Sequence, residues 1–261
     1  MVTTRYGGVS VPPYGEFNLA LHVGDDPNAV LENRRRACAA IGSTLRDAVF
    51  PAQVHGCRAT VVGGGEKGRG SVSLADAIEG ADGLVTNEPG VVLVILVGDC
   101  TPILLVDLSA RVLACVHSGW RGAASGVLDN TIVAMTALGA RPERMVAAVG
   151  PSVPMHRYQV GDEVVRRMAA VLGPSVRTDR GSERTDRDAS EDRLAGVICP
   201  DGHGRQLLDL KEAQRQLLLS AGVLPGHIHA SHFGTGPPGP FYSARCGEPC
   251  GRFGLLARLR G

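Results

Sequence analysis

VVLVILVGDCTPILLVDLSARVLACVHSGWRG, residues 91–122, is the stretch on which the fold turns. Three apolar runs within it, 91–97, 103–106 and 112–116, have the length and β-branched content of buried strands. Asp107-Leu108-Ser109-Ala110-Arg111, between the second and third runs, predicts a hairpin turn. With Leu108 opposite Arg111, counting back along both strands pairs Pro102 with His117. Cys100 lies two positions further on, and strand side chains alternate, so Cys100 and His117 share one face. Diagonal neighbours of this kind are about 7–8 Å apart at the backbone, near enough to hold one ion or share one proton. No Asn-Gly or Gly-Gly turn fixes this register, which is therefore conditional. Both residues interrupt or end apolar runs, where a purely structural strand more often carries Val or Ile.

The chain of 261 residues is long enough for a substantial core. Its formal net charge of +1, with no long basic block, gives no electrostatic footprint for nucleic acid. The apolar stretches are strand-sized, too short for a membrane-spanning helix, and the first residues carry no apolar leader. Seven cysteines, an odd number without framework spacing, favour a reducing cytoplasm with thiols free or metal-bound. Lys67 and Lys211 are the only lysines, so nearly all basic residues are Arg.

Helical patterns alternate irregularly with the strands. Asp26-Pro27 supplies an N-cap and a first-turn proline, and Gly42 a stop. On that helix Val30, Leu31, Ala37, Cys38 and Ile41 cluster on one face, with Arg34 in its middle. An Arg there either covers the core with its stem or projects into a site for an anion. Further helices are expected over 122–138, 162–172 and 209–221, and strands over 145–149, 227–232 and 251–259. The turn Ser118-Gly119-Trp120-Arg121-Gly122 offers free backbone N–H groups and an Arg beside His117, a plausible anion cradle or an ordinary glycine-rich turn. Residues 177–193 hold eleven charges in seventeen positions without apolar period and read as a mobile surface insertion.

His55 in Gln53-Val54-His55-Gly56, Cys100 and His117 form a soft donor set. Zinc accepts one thiolate and two imidazoles and leaves a fourth position for water or substrate. Cys57 is a rival ligand, and His227 with His229, on one side of a strand, imitates a metal pair. The same residues also allow a Cys100 nucleophile with His117 as base, Asp99 orienting the base or simply ending its strand. A buried, inert Cys100 is the plainest alternative.

GDCTP followed by CVHSGWRG closely resembles the core motifs of the YfiH family, also called the DUF152 or laccase-domain family. The resemblance runs in order through Gly7-Gly8-Val9-Ser10, Phe17-Asn18-Leu19, His22-Val23-Gly24-Asp25, Gln53-Val54-His55-Gly56 and Ala81-Asp82-Gly83-Leu84-Val85-Thr86. It continues through Gly150-Pro151, Asp209-Leu210, Phe241-Tyr242-Ser243-Ala244-Arg245 and Gly251-Arg252, and so covers nearly the whole chain. It implies one α+β domain over 1–261, mixed β-sheets sandwiched between helices in an α/β/β/α order. It also implies a zinc site at His55, Cys100 and His117, with copper an in-vitro substitute, and a pocket lined by Asn18 and by Arg34 as anion contact.

The implied activity is phosphorolysis of adenosine, inosine and methylthioadenosine, with deamination of adenosine. Its expected partners are small molecules, purine nucleosides and phosphate, and neither nucleic acid nor membrane. Under that reading Arg34, Asn18 and Arg121 bind substrate or phosphate, and Asp99, Cys100, His117 and Arg34 act in catalysis. The family also carries the labels copper-dependent polyphenol oxidase and peptidoglycan-editing hydrolase releasing misplaced L-serine, and a non-catalytic metal module is a further alternative. A multicopper oxidase needs many His ligands, more than this set supplies. Departures from the family pattern are Gln159 for a common Glu, Gly234 for a common Cys, Cys246 for a common Arg, and the 177–193 insertion. Cys246 and Cys250 either pair or sit free.

Overall fold

The computed structural model describes residues 1–173, 194 and 196–261, so the 177–193 insertion lies outside the described residues. Helix α1 is Pro27–Ala40, with the Asp26 side chain accepting from the Asn28 N–H and Pro27 in the first turn. The strands that follow are β1 Ala48–Val49, β2 Ala59–Val61, β3 Gly83–Thr86, β4 Val92–Val97, β5 Thr101–Asp107 and β6 Val112–Ser118. Next come α2 Trp120–Ala124, α3 Val127–Ala137, β7 Val146–Val149, β8 Gln159–Val160 and α4 Asp162–Leu172. The remainder is β9 Ile198–Pro200, β10 Gln206–Leu208, α5 Leu210–Ser220, β11 Ile228–Ala230 and β12 Phe253–Arg258.

β5 and β6 form the expected antiparallel hairpin, with Pro102 opposite His117 and Asp107 opposite Val112. The turn takes its shape from Arg111, whose φ is 53°, and from Asp107, whose carboxylate accepts the Ala110 N–H at 3.0 Å. The hairpin is the centre of a six-stranded sheet ordered β11-β7-β5-β6-β3-β2. β4 does not join it. At Gly98-Asp99-Cys100 the chain leaves a separate three-stranded sheet, β1-β4-β12, and crosses to the larger one.

Alternation along each strand then assigns the layers. Val92 and Val94 of β4 pack with Ala37 and Cys38 of α1, while Leu93, Ile95 and Val97 face Leu113 and Cys115 of the larger sheet. That double coverage explains why β4 reads as a continuous apolar run. On the far side, Ile103, Leu105, Ala114 and Val116 pack against Leu128, Ile132 and Met135 of α3 and Leu217 and Leu218 of α5. The order is α/β/β/α, as expected. His117 has the parity of Leu113 and Cys115, so the hairpin's open end points both His117 and Cys100 towards the gap between the sheets.

Two expected elements differ. The single helix over 122–138 is two, α2 and α3, because Gly126 takes the left-handed conformation at φ 85° and restarts the chain in a new direction. The strand expected over 227–232 is only Ile228–Ala230. His227 ends a short 3₁₀ turn ahead of it, so His227 and His229 are not a same-face strand pair. No helix among the described residues is long and apolar enough to cross a membrane.

Candidate metal site and its two cavities

Three segments meet where the hairpin opens. β5 begins just after Cys100, β6 carries His117 near its end, and the loop between β1 and β2 brings His55. One ligand atom from each lies within 4.8 Å of the other two, and the two imidazole rings stand edge to face with centroids 4.7 Å apart. This is the only such His/Cys/Asp/Glu group among the described residues; Cys57, His227 and His229 lie outside it. Gly119 packs so closely that a Cβ there would sit 2.6 Å from the Cys100 sulfur.

His55 holds a left-handed backbone, φ 59°, uncommon for a residue with a side chain. Asp82 explains how that conformation persists. Its buried carboxylate accepts the backbone N–H groups of Val54 at 3.2 Å, His55 at 3.0 Å and Gly56 at 2.7 Å. The same carboxylate meets Nδ1 of His117 at 2.7 Å. One buried residue thus shapes the His55 loop and orients the His117 ring, leaving Nε2 of His117 for a ligand. Sequence reasoning quoted Asp82 only as part of a motif and did not single it out. A buried Asp ahead of an apolar strand was its one signal.

The electrostatics suit a cation. Burial opposes ionisation of the Cys100 thiol, but the His117 charge and hydrogen bonds from His117 and His55 outweigh it and hold the thiol below its ordinary range. Burial also disfavours a charged His117, yet the Cys100 thiolate and the Asp82 hydrogen bond hold it above the ordinary imidazole range. Asp82, despite burial, is kept ionised by His117 and the loop N–H groups. A thiolate ready without a base, two imidazoles and a carboxylate behind one of them form a donor set that zinc accepts.

Two cavities flank this group, with His55, Asp99 and Cys100 in the wall they share. The larger, about 370 Å³, has apolar surface from Phe50, Leu74, Leu96 and Val97 and polar groups from His22, Arg34 and Arg252. The smaller, about 150 Å³, is bounded by Trp120, Arg121, Tyr158 and Arg245.

The other expected site residues divide. Arg34 is 1% exposed and lines the larger cavity, but Nε donates to Leu19 O at 2.7 Å and Nη1 to Gly70 O and Ser71 O at 2.8 Å each. Its guanidinium also lies 4.0 Å over the Phe50 ring, and burial lowers its pKa to about 10, which leaves it cationic at neutral pH. Asn18 does not reach the cavity wall: its amide donates to Ala20 O and Asp25, and its carbonyl accepts from Ala20 N and Arg252 N. Asp99 does reach both cavities, but its carboxylate accepts from Thr235 Oγ1 at 2.6 Å, Ser243 Oγ at 2.7 Å and the Arg245 N–H at 2.9 Å. It ties the C-terminal loop to the start of β5. Gln159 lies with Cys246 at a third cavity, away from the donor group. Cys246 and Cys250 are both free thiols. His22, in the larger cavity, was not foreseen; burial, then Arg252 and Arg34, lower its pKa and keep the ring neutral near pH 7.

Comparison with known proteins places the chain. It is 41% identical over 187 residues to a purine nucleoside phosphorylase of Corynebacterium glutamicum, covering 70% of this chain and 73% of that one. Purine nucleoside phosphorylase YlmD of Geobacillus stearothermophilus is 36% identical over 231 residues, 88% of this chain and 78% of its own. The crystal structure of YlmD superposes with a TM-score of 0.88 at 33% identity, covering 100% of this chain and 91% of that one. Adenosine deaminase RL5, from an unknown prokaryotic organism, is 32% identical over 233 residues, 89% of this chain and 82% of its own. A family model described as multi-copper polyphenol oxidoreductase laccase matches residues 1–260, and the chain belongs to that family, the YfiH or DUF152 family.

Proposed function

We propose that this chain is a purine nucleoside phosphorylase that also deaminates adenosine, with zinc held by His55, Cys100 and His117. The observation that carries the reading is the His-Cys-His group opening onto a cavity of nucleoside-accepting size. Relatives named for both activities, alike over most of the chain, support it. Zinc is favoured over copper because the described residues supply one thiolate and two imidazoles and no second cluster, short of what a multicopper centre requires. When bound, the ion would supply positive charge that polarises a substrate oxygen or makes water nucleophilic near neutral pH.

The chain's own residues do the rest. Phe50, Leu96 and Val97 give the purine an apolar wall, and the neutral His22 ring beside Arg34 offers hydrogen-bonding groups to its polar edge or to the ribose. Asp82 holds the His117 tautomer and the His55 loop. Asp99, with its carboxylate already bonded, fixes the shared wall, a positioning task beside the catalytic one that the resemblance implies. Purified, metal-analysed protein incubated with adenosine, with and without phosphate, tests the reading. Adenine should appear only with phosphate, and inosine, from deamination alone, without it. Zinc-loaded protein that turns over no purine nucleoside overturns the reading.

A further inference from the structure

The two cavities on either side of the Cys100 wall differ in what their arginines do. In the larger cavity Arg34 has three N–H contacts taken by backbone carbonyls, and Arg252 is bonded to Cys250, Gly251 and Glu248. In the smaller, Arg121 lies 4.5 Å over the Trp120 ring and Arg245 4.5 Å over the Tyr158 ring. Among the described residues, neither guanidinium makes an ion pair or a side-chain hydrogen bond. A guanidinium stacked on a ring loses rotational freedom but keeps its in-plane N–H donors, the geometry that grips a tetrahedral oxyanion. The carboxylate at this cavity, Asp99, already accepts from Thr235, Ser243 and the Arg245 backbone, so its oxygens do not draw either guanidinium away.

We infer that the smaller cavity is the orthophosphate site, with Arg121 and Arg245 as its two cationic clamps, and that Arg34 is not the phosphate contact. This rests on the phosphorylase reading and deepens it. The cavity of about 150 Å³ is too small for a nucleoside beside the metal-ligand wall, and it suits a compact anion. The larger cavity takes the purine nucleoside, and the ribose C1′ lies at the shared wall of His55, Cys100 and Asp99. An oxygen of HPO₄²⁻ forms the bond to C1′ as the C1′–N9 bond breaks. The bonding pair leaves with the purine, and the proton from the phosphate goes to the purine, so the products are ribose 1-phosphate and the free base. Two ring-stacked guanidiniums hold the phosphate charge in place for that attack. Deamination uses water and needs no anion there.

The test compares the two reactions in Arg121→Gln, Arg245→Gln and the charge-preserving Arg121→Lys. Each Gln variant should raise the phosphate KM about tenfold or more, the scale of one charge-assisted hydrogen bond pair lost. The ratio of phosphorolysis to deamination should fall by a similar factor, with metal content as the check on folding. Arg121→Lys should recover part of the phosphate KM. An unchanged phosphate KM in both Gln variants overturns the inference while leaving the phosphorylase reading intact. If the wild type phosphorolyses nothing, calorimetric titration with orthophosphate still decides. Binding that weakens in the double Gln variant supports the site, and no binding by wild type overturns it.

Discussion

The β5–β6 hairpin has two ends built from similar residues with opposite outcomes. At the closed end the Asp107 side chain is fully buried, and its carboxylate accepts from the Ala110 N–H at 3.0 Å, the Arg141 N–H at 3.0 Å and Arg144 Nε at 2.9 Å. Every acceptor there is answered from within the protein. At the open end Cys100 and His117 face each other across the strands with His55, and their remaining valences point at cavities. Polar groups whose partners are all internal define architecture; those left facing a cavity define chemistry. The arginines show the contrast by degree, Arg34 with Nε and Nη1 answered by Leu19, Gly70 and Ser71, Arg121 and Arg245 merely stacked on rings.

The sharpest way to break that contrast is Arg34→Met. Three buried carbonyls lose their donor, and at about 1–3 kcal/mol for an unsatisfied buried group the loss should exceed about 3 kcal/mol in urea unfolding. A variant with near wild-type stability would show that Arg34 is held for ligand and not for structure. Asp82→Asn comes next. It removes the carboxylate behind His117 and under the His55 loop, and metal affinity should fall about 10–100-fold by competition with a chelator. Unaltered affinity would mean that the loop and ring orient themselves.

Asp107→Asn, at the closed end, should cost about 1–2 kcal/mol and leave metal affinity alone. It also carries a pH signature. Burial opposes the Asp107 charge, but the Ala110 and Arg141 N–H groups and Arg144 outweigh it, so its folded-state pKa is depressed. Its stabilisation is therefore complete above the unfolded value of about 3.9 and is lost as pH falls through the lower folded value. The difference in urea midpoint between wild type and variant should narrow as pH falls from 7 to 3. A gap of the same size at pH 7 and pH 3 would assign the effect to packing.

The sequence exposed the hairpin register because a short polar turn between two apolar runs leaves few pairings, and a one-residue slip would have put Leu113 and Cys115 on the wrong face. Cys100 and His117 were legible because each ended an apolar run. Arg34 was correctly placed on the buried face of α1, yet a helical wheel names a face and not its partners, and the loop carbonyls at Gly70 and Ser71 come from 36 and 37 residues away. Asn18 illustrates the same limit: a motif names the residue but not its partners, Asp25 and the Arg252 backbone N–H, which hold it behind the cavity wall. Gly126 hid inside an apolar pattern that reads equally well as one helix or two. Asp82, His22 and Arg245 depend on contacts between distant loops, which no local period encodes.

Metal analysis coupled to turnover, on wild type and Cys100→Ala prepared alike, tests the central claim most directly. The expected result is bound zinc with phosphate-dependent release of adenine from adenosine in wild type, and neither in Cys100→Ala. A Cys100→Ala protein that retains both the metal and the turnover would contradict the account.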